Sequence, residues 1–126
     1  MLSTKEEDIS MIEALWSVEF HSNGSPGSFA YGAGVVVFET GRIFGGDGRY
    51  FYVGNYEIVN GVARATLTST HYSGPRESII GPDEKTTFEL NGSIARDKFV
   101  VSGHVVGKPG VTVNATLTRR AELPNS

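Results

Sequence analysis

The side chains able to do chemistry in this chain are few, and their spacing assembles none of the common catalytic or metal-binding machines. The histidines are His21, His71 and His104. None has a second histidine or a carboxylate at the spacing that a metal-binding helix needs. Alternation puts His21 and His104 on polar strand faces, where solvated histidines are ordinary. His71, beside Tyr72 at a strand end, is the one position where a general base could sit. Together with Glu57 it would form a barrel-mouth enzyme, although no substrate suggests itself. The chain has no Gly-x-Ser-x-Gly nucleophile turn. Gly45-Gly46-Asp47-Gly48 is glycine-rich but lacks the Lys-Ser/Thr pair and the helix of a phosphate cradle. It reads as a turn between strands, with Asp47 at most oriented for a partner contact. There is no cysteine, which removes disulfides, thiolate metal sites and thiol nucleophiles. The expectation is a non-enzymatic chain with no catalytic residue, no metal and no cofactor.

The elements that would carry these residues are strands. From Ala14 the apolar period is two, the mark of a strand with one buried face. Trp16, Val18 and Phe20 point one way; Ser17, Glu19 and His21 point the other. The run 23–28 is rich in turn residues and reads as a loop. A second strand, Gly34 to Glu39, is apolar on both faces, with Val35 and Val37 opposite Val36 and Phe38. Thr40-Gly41 turns into Arg42-Ile43-Phe44, and an aromatic strand runs from Tyr50 to Ile58. Asn60-Gly61 is the strongest hairpin signal, since both residues tolerate the positive φ of a type I′ turn. It leads into Val62 to Tyr72. After an irregular stretch from Ser73 to Glu84 come Thr87 to Ile94, Lys98 to Val106 and Val111 to Arg119. About eight strands at hairpin spacing, with only Lys5 to Leu15 as a conceivable short helix, predict an all-β protein. Closure removes the two unpaired edges of such a meander, so the expected fold is an eight-stranded antiparallel up-and-down (lipocalin-like) β-barrel. Small inward residues, Gly54, Ala63, Ala65, Gly92, Gly103 and Ala115, are read as corner kinks of a tightly curved sheet in preference to a ligand cavity.

The 126-residue chain fits one domain. Residues 1–12 are expected to be a flexible N-terminal segment, and residues 13–122 a single β-barrel domain. Met11 directly precedes the first patterned strand, so the first ten residues read as an upstream extension or frayed tail. Acids occupy the place of a signal peptide's basic start, and no later stretch approaches the ~20 apolar residues of a membrane span. The expected location is cytoplasmic. The formal net charge of -3, from 11 Lys+Arg against 14 Asp+Glu, offers no basic footprint for nucleic acid. Asn23, Asn91 and Asn114 match glycosylation acceptor patterns, which without a signal peptide mean nothing chemically.

Two binding readings follow from the alternation. Trp16, Phe20, Phe38, Tyr56, Phe88 and Phe99 would line the barrel interior, where a small hydrophobic ligand could be carried. Val35, Val37, Phe51 and Val53 are surplus apolar residues on outward faces. Such a patch marks a dimer or partner surface, unless the irregular stretch after Tyr72 or the N-terminal segment covers it.

The run Leu15-Trp16-Ser17-Val18-Glu19-Phe20-His21-Ser22-Asn23 resembles the opening strand of the GrlR-type proteins, negative regulators of type III secretion in enteric bacteria. A glycine-centred apolar strand, Gly32-Ala33-Gly34-Val35-Val36-Val37, follows. Then come Ile43-Phe44-Gly45-Gly46-Asp47, matching the family's Gly-Gly-Asp element, and the aromatic Tyr52-Val53-Gly54-Asn55-Tyr56. The likeness covers Ala14 to Tyr72, and the remainder only in strand pattern. It implies a lipocalin-like eight-stranded barrel, a homodimer, and a cytoplasmic, non-enzymatic regulatory role through a protein partner. The family's best-known member sequesters a DNA-binding activator partly through an exposed Glu-Asp-Glu-Asp run after the aromatic strand. Here that turn reads Ile58-Val59-Asn60-Gly61, so the acidic motif is absent and no residue of it carries over.

Overall fold

A computed structural model describes residues 10–25, 28–75 and 84–124. Eight strands follow one another: β1 (Ala14–Ser25), β2 (Ser28–Glu39), β3 (Arg42–Gly46), β4 (Tyr50–Val59), β5 (Val62–His71), β6 (Lys85–Ser93), β7 (Lys98–Val105) and β8 (Lys108–Glu122). Each pairs antiparallel with the next, and β8 returns to β1, from Ala14 opposite Glu122 to Ser22 opposite Val113. The sheet is therefore a closed up-and-down barrel, as the alternation predicts.

The two hairpin turns read from sequence form as expected. Thr40 and Gly41 have φ of 47° and 81°, and Asn60 and Gly61 have 52° and 75°. Positive φ at both central residues gives the twist that matches the flanking strands. Other boundaries differ. The polar run expected to be a loop over 23–28 is strand at 23–25 and again at residue 28, so β1 and β2 extend much further than their apolar cores. Backbone pairing needs no apolar side chain once a neighbouring strand has fixed the register, and the bulge between Ser22 and Ser25 absorbs the irregularity. The loop's centre, 26–27, and most of the irregular stretch, 76–83, lie outside the described residues.

Gly92 and Gly103 are corner residues. A methyl group at Gly103 would stand 1.7 Å from the Glu89 carbonyl oxygen, and one at Gly92 2.0 Å from that of Val100. Only a residue without Cβ lets the sheet fold so sharply against its neighbour.

One end of the barrel is plugged. A single helical turn at 10–12 lays Ile12 fully buried beneath Trp16, itself fully buried. The indole nitrogen donates to the Ile12 carbonyl at 2.9 Å. Arg119 on β8 stacks its guanidinium over the Trp16 ring at 5.6 Å and donates to the Met11 carbonyl at 2.7 Å. Of the segment expected to be flexible, residues 1–9 fall outside the described residues, whereas Ile12 belongs to the packed core and Met11, partly buried, packs against it. Above the plug, Trp16 meets Phe99 edge-on at 5.0 Å, and Phe38 meets Tyr56 at 5.2 Å. Interlocked rings of this kind fill a barrel from side to side.

Candidate functional site

Of the residues expected to face the interior, Trp16, Phe38, Tyr56, Phe88 and Phe99 are buried, and Phe20 is half-buried, its ring edge-on to Tyr52 at 5.7 Å. Phe20, Phe38, Tyr56 and Phe99 line one apolar cavity of only about 40 Å³, and Trp16 and Phe88 are not part of its lining. Ligand sites for drug-sized molecules run from roughly 300 Å³ upward. Among the described residues the lower barrel is thus a packed core, in keeping with glycines that curve the sheet.

Polar residues also enter the interior toward the opposite rim. Ser69 and Thr86, paired across β5 and β6, are buried there, as is Ser22, whose hydroxyl donates to the Thr112 carbonyl at 2.9 Å. Asp47 organises this rim. One carboxylate oxygen accepts from the amides of Arg49 and Tyr50, both at 2.8 Å, and closes the turn between β3 and β4. The other is hydrogen-bonded to the Tyr52 hydroxyl. Burial first, and the Asp47 bond second, push the Tyr52 phenol far above its ordinary range. Tyr72 donates to the Asp47 carbonyl at 2.6 Å. The aspartate read as a possible partner contact is instead spent on its own turn.

His71 packs edge-on against Tyr50 at 5.4 Å, with its Nε2 at 2.7 Å from the Gly74 carbonyl. Glu57 stands elsewhere, on the outer face toward the far end of β4, opposite Arg64. It lines an open polar trough of about 420 Å³ with Arg64, Glu89 and His104. The set proposed for an enzyme, His71, Tyr72 and Glu57, is therefore not assembled: the rim holds the first two and the outer wall the third. His104 reaches Glu89 at 3.5 Å, both on that solvated wall. Among the described residues no group of three or more His, Cys, Asp or Glu could hold a metal ion.

The remaining feature is the outer face of β1 to β4. Register lays Leu15, Val37, Phe44 and Val53 side by side across four strands. A second row, Val35, Gly46 and Phe51, runs beside it. Val35 is 46% exposed, Phe44 42%, Phe51 43% and Val53 47%, while Val37 is half-buried between them. Tyr72, also exposed, tilts its ring toward Phe51 at 6.4 Å. Arg42 stacks over Phe44 at 5.7 Å and pairs with Glu39 at 3.3 Å, so the patch has a charged lower rim. Sequence reading found four of these residues and missed Phe44, which joins the two strands that carry them. Its signal was available: with Ile43 inward, a period of two turns Phe44 outward, even in a strand as short as β3.

No protein-family model matches the chain, and no curated protein is similar to it. The class is set by the fold itself: a closed, all-antiparallel, eight-stranded up-and-down β-barrel. No described helix is long and apolar enough to cross a membrane.

Proposed function

We propose that this barrel is a non-enzymatic binding protein that works through its outer wall, and that the apolar face of β1 to β4 is where a second copy docks. The observation that carries this reading is the unbroken row Val37, Phe44 and Val53, flanked by Val35 and Phe51. Contiguous exposed apolar surface of this kind on a folded domain marks a contact. Glu39 and Arg42 at its rim supply opposite charges from each copy, which a twofold contact can match crosswise. A cytoplasmic regulatory role, with a protein partner, is what the GrlR-type resemblance adds. The acidic run used by that family's best-known member has no counterpart, so the apolar wall takes its place as the contact.

Carriage of a small hydrophobic ligand is the other reading of a barrel. A packed interior with about 40 Å³ of free space weighs against it. Chemistry at the rim has against it that Asp47, His71 and Tyr72 are engaged with the backbone.

Sedimentation velocity across a concentration series tests the reading. The wild-type chain is expected to sediment as a dimer, and Phe44→Ser/Val53→Ser as a monomer with an unchanged circular dichroism spectrum. A wild-type chain that stays monomeric at every concentration would count decisively against it.

A further inference from the structure

β2 carries a second kind of contact, on its edge. It pairs with β1 along its whole length but with β3 only from Val35 to Glu39, because β3 ends at Gly46. The first half of β2, Ser28–Gly34, rises beyond that point, roughly 20 Å of strand at ~3.3 Å per residue. Among the described residues it has no strand partner on the β3 side.

The register says which groups face that gap. Glu39 and Arg42 flank the two-residue turn and exchange hydrogen bonds. By alternation Val37 and Val35 also direct their N–H and C=O groups at β3, and beyond its end Ala33 and Tyr31 direct theirs to the same side, where no described strand stands. Gly32 and Gly34 direct theirs at β1, opposite Phe20 and Val18. Exposed edges in natural sheets are blunted by lysine, proline or an inward charge, since an unprotected edge templates pairing with another chain. Ser28-Phe29-Ala30-Tyr31-Gly32-Ala33-Gly34 contains none of these.

The geometry points to strand addition: an extended segment of a partner polypeptide pairs antiparallel with the upper half of β2, in line with β3. Main-chain bonds to Ala33 and Tyr31 give it affinity, and alternate side chains give it specificity. Outward residues of the added strand come to lie beside Val35 and Phe51, the upper row of the apolar face. Inward ones face Gly32, which has no side chain, above the Phe20–Tyr52 ring pair; Gly34 is already met by the Gly46 carbonyl and the Tyr52 ring, so the added strand begins beyond it. The segment that fits is therefore extended, with apolar residues at alternate positions. This inference rests on the reading of the protein as a binding barrel and names the mode of contact.

The test selects a displayed library of random linear peptides on the intact chain, then measures amide exchange. In the free chain Ala33 is expected to exchange at least roughly tenfold faster than Gly32 and Gly34, and selected peptides to slow it by a similar factor. Ala33→Pro removes an edge N–H that β1 does not use, so the chain folds while affinity falls by about tenfold or more. Should that variant misfold, the same peptides methylated at alternate backbone nitrogens must lose affinity for the wild-type chain. Binding should survive in Phe44→Ser/Val53→Ser. A slowly exchanging Ala33 amide in the free chain, failure to enrich any peptide, or equal affinity for Ala33→Pro would overturn strand addition. Peptides lost only in Phe44→Ser/Val53→Ser would overturn it too, while leaving the apolar-face reading in place.

Discussion

Two tyrosines on β4 carry buried hydroxyls. Tyr52 donates a hydrogen bond to Asp47, and the Tyr56 hydroxyl has the Gly41 backbone beside it. Removing a satisfied buried hydroxyl strands the group it served. Tyr52→Phe should accordingly lower unfolding free energy by about 2 kcal/mol, as read by urea denaturation. Both phenols are pushed up, chiefly by burial. The unfolded chain releases these protons near pH ~10 while the folded chain keeps them. Their contribution to stability is therefore complete below that pH and declines as pH climbs above it. Alkaline titration of stability should show a shallower decline in Tyr52→Phe than in the wild type. A parallel decline in the two proteins would show that Tyr52 titrates alike in the folded and unfolded chains, against the assignment. The role of Asp47 was not legible beforehand. Its neighbours Gly45 and Gly46 announced a turn, but the tyrosine that it holds lies across the turn on the next strand.

At the scale of elements, the barrel is shut by one arginine. Arg119 has a side chain only 10% exposed, and it joins the helical turn, Trp16, the Arg96 carbonyl and both oxygens of Glu122. Glu122 itself is solvated, so its charge is worth little. Arg119→Met should cost about 2 kcal/mol, chiefly through the lost charge-assisted bond to the part-buried Met11 carbonyl, and Glu122→Gln less than about 1 kcal/mol. Thermal unfolding of the two variants separates these costs; equal losses would contradict the assignment. Arg120 is a solvated strand-end residue, exposed and bonded to the Ser17 hydroxyl, whereas Arg119 faces inward. Adjacent strand residues face opposite ways, so a dibasic pair could not share one environment. The glycine corners were legible as small inward residues, and Gly103→Ala should cost more than about 3 kcal/mol or prevent folding, since the methyl meets backbone.

For the molecule as a whole, alternation from Trp16 to Leu117 was enough to foresee a closed antiparallel barrel, because each strand buries one face and the described residues add only a single helical turn. The same alternation found the interior rings and most of the outer apolar row. It did not reveal how full the interior is, since volume depends on how Trp16, Phe38 and Phe99 interlock across strands distant in sequence. Nor did it reveal the long edge of β2, whose upper half mixes glycines and alanines with Phe29 and Tyr31 and so does not announce where its partner strand stops. Both omissions bear on function in the same direction: toward the wall and away from the cavity.

The most direct test of that claim is an isotope-filtered nuclear Overhauser measurement on a mixture of labelled and unlabelled chains. Contacts between copies should arise from the Phe44 ring and the methyl groups of Val37 and Val53. Cross-peaks confined to the threonines on the outer faces of β5 or of β8, or none at all, would contradict it.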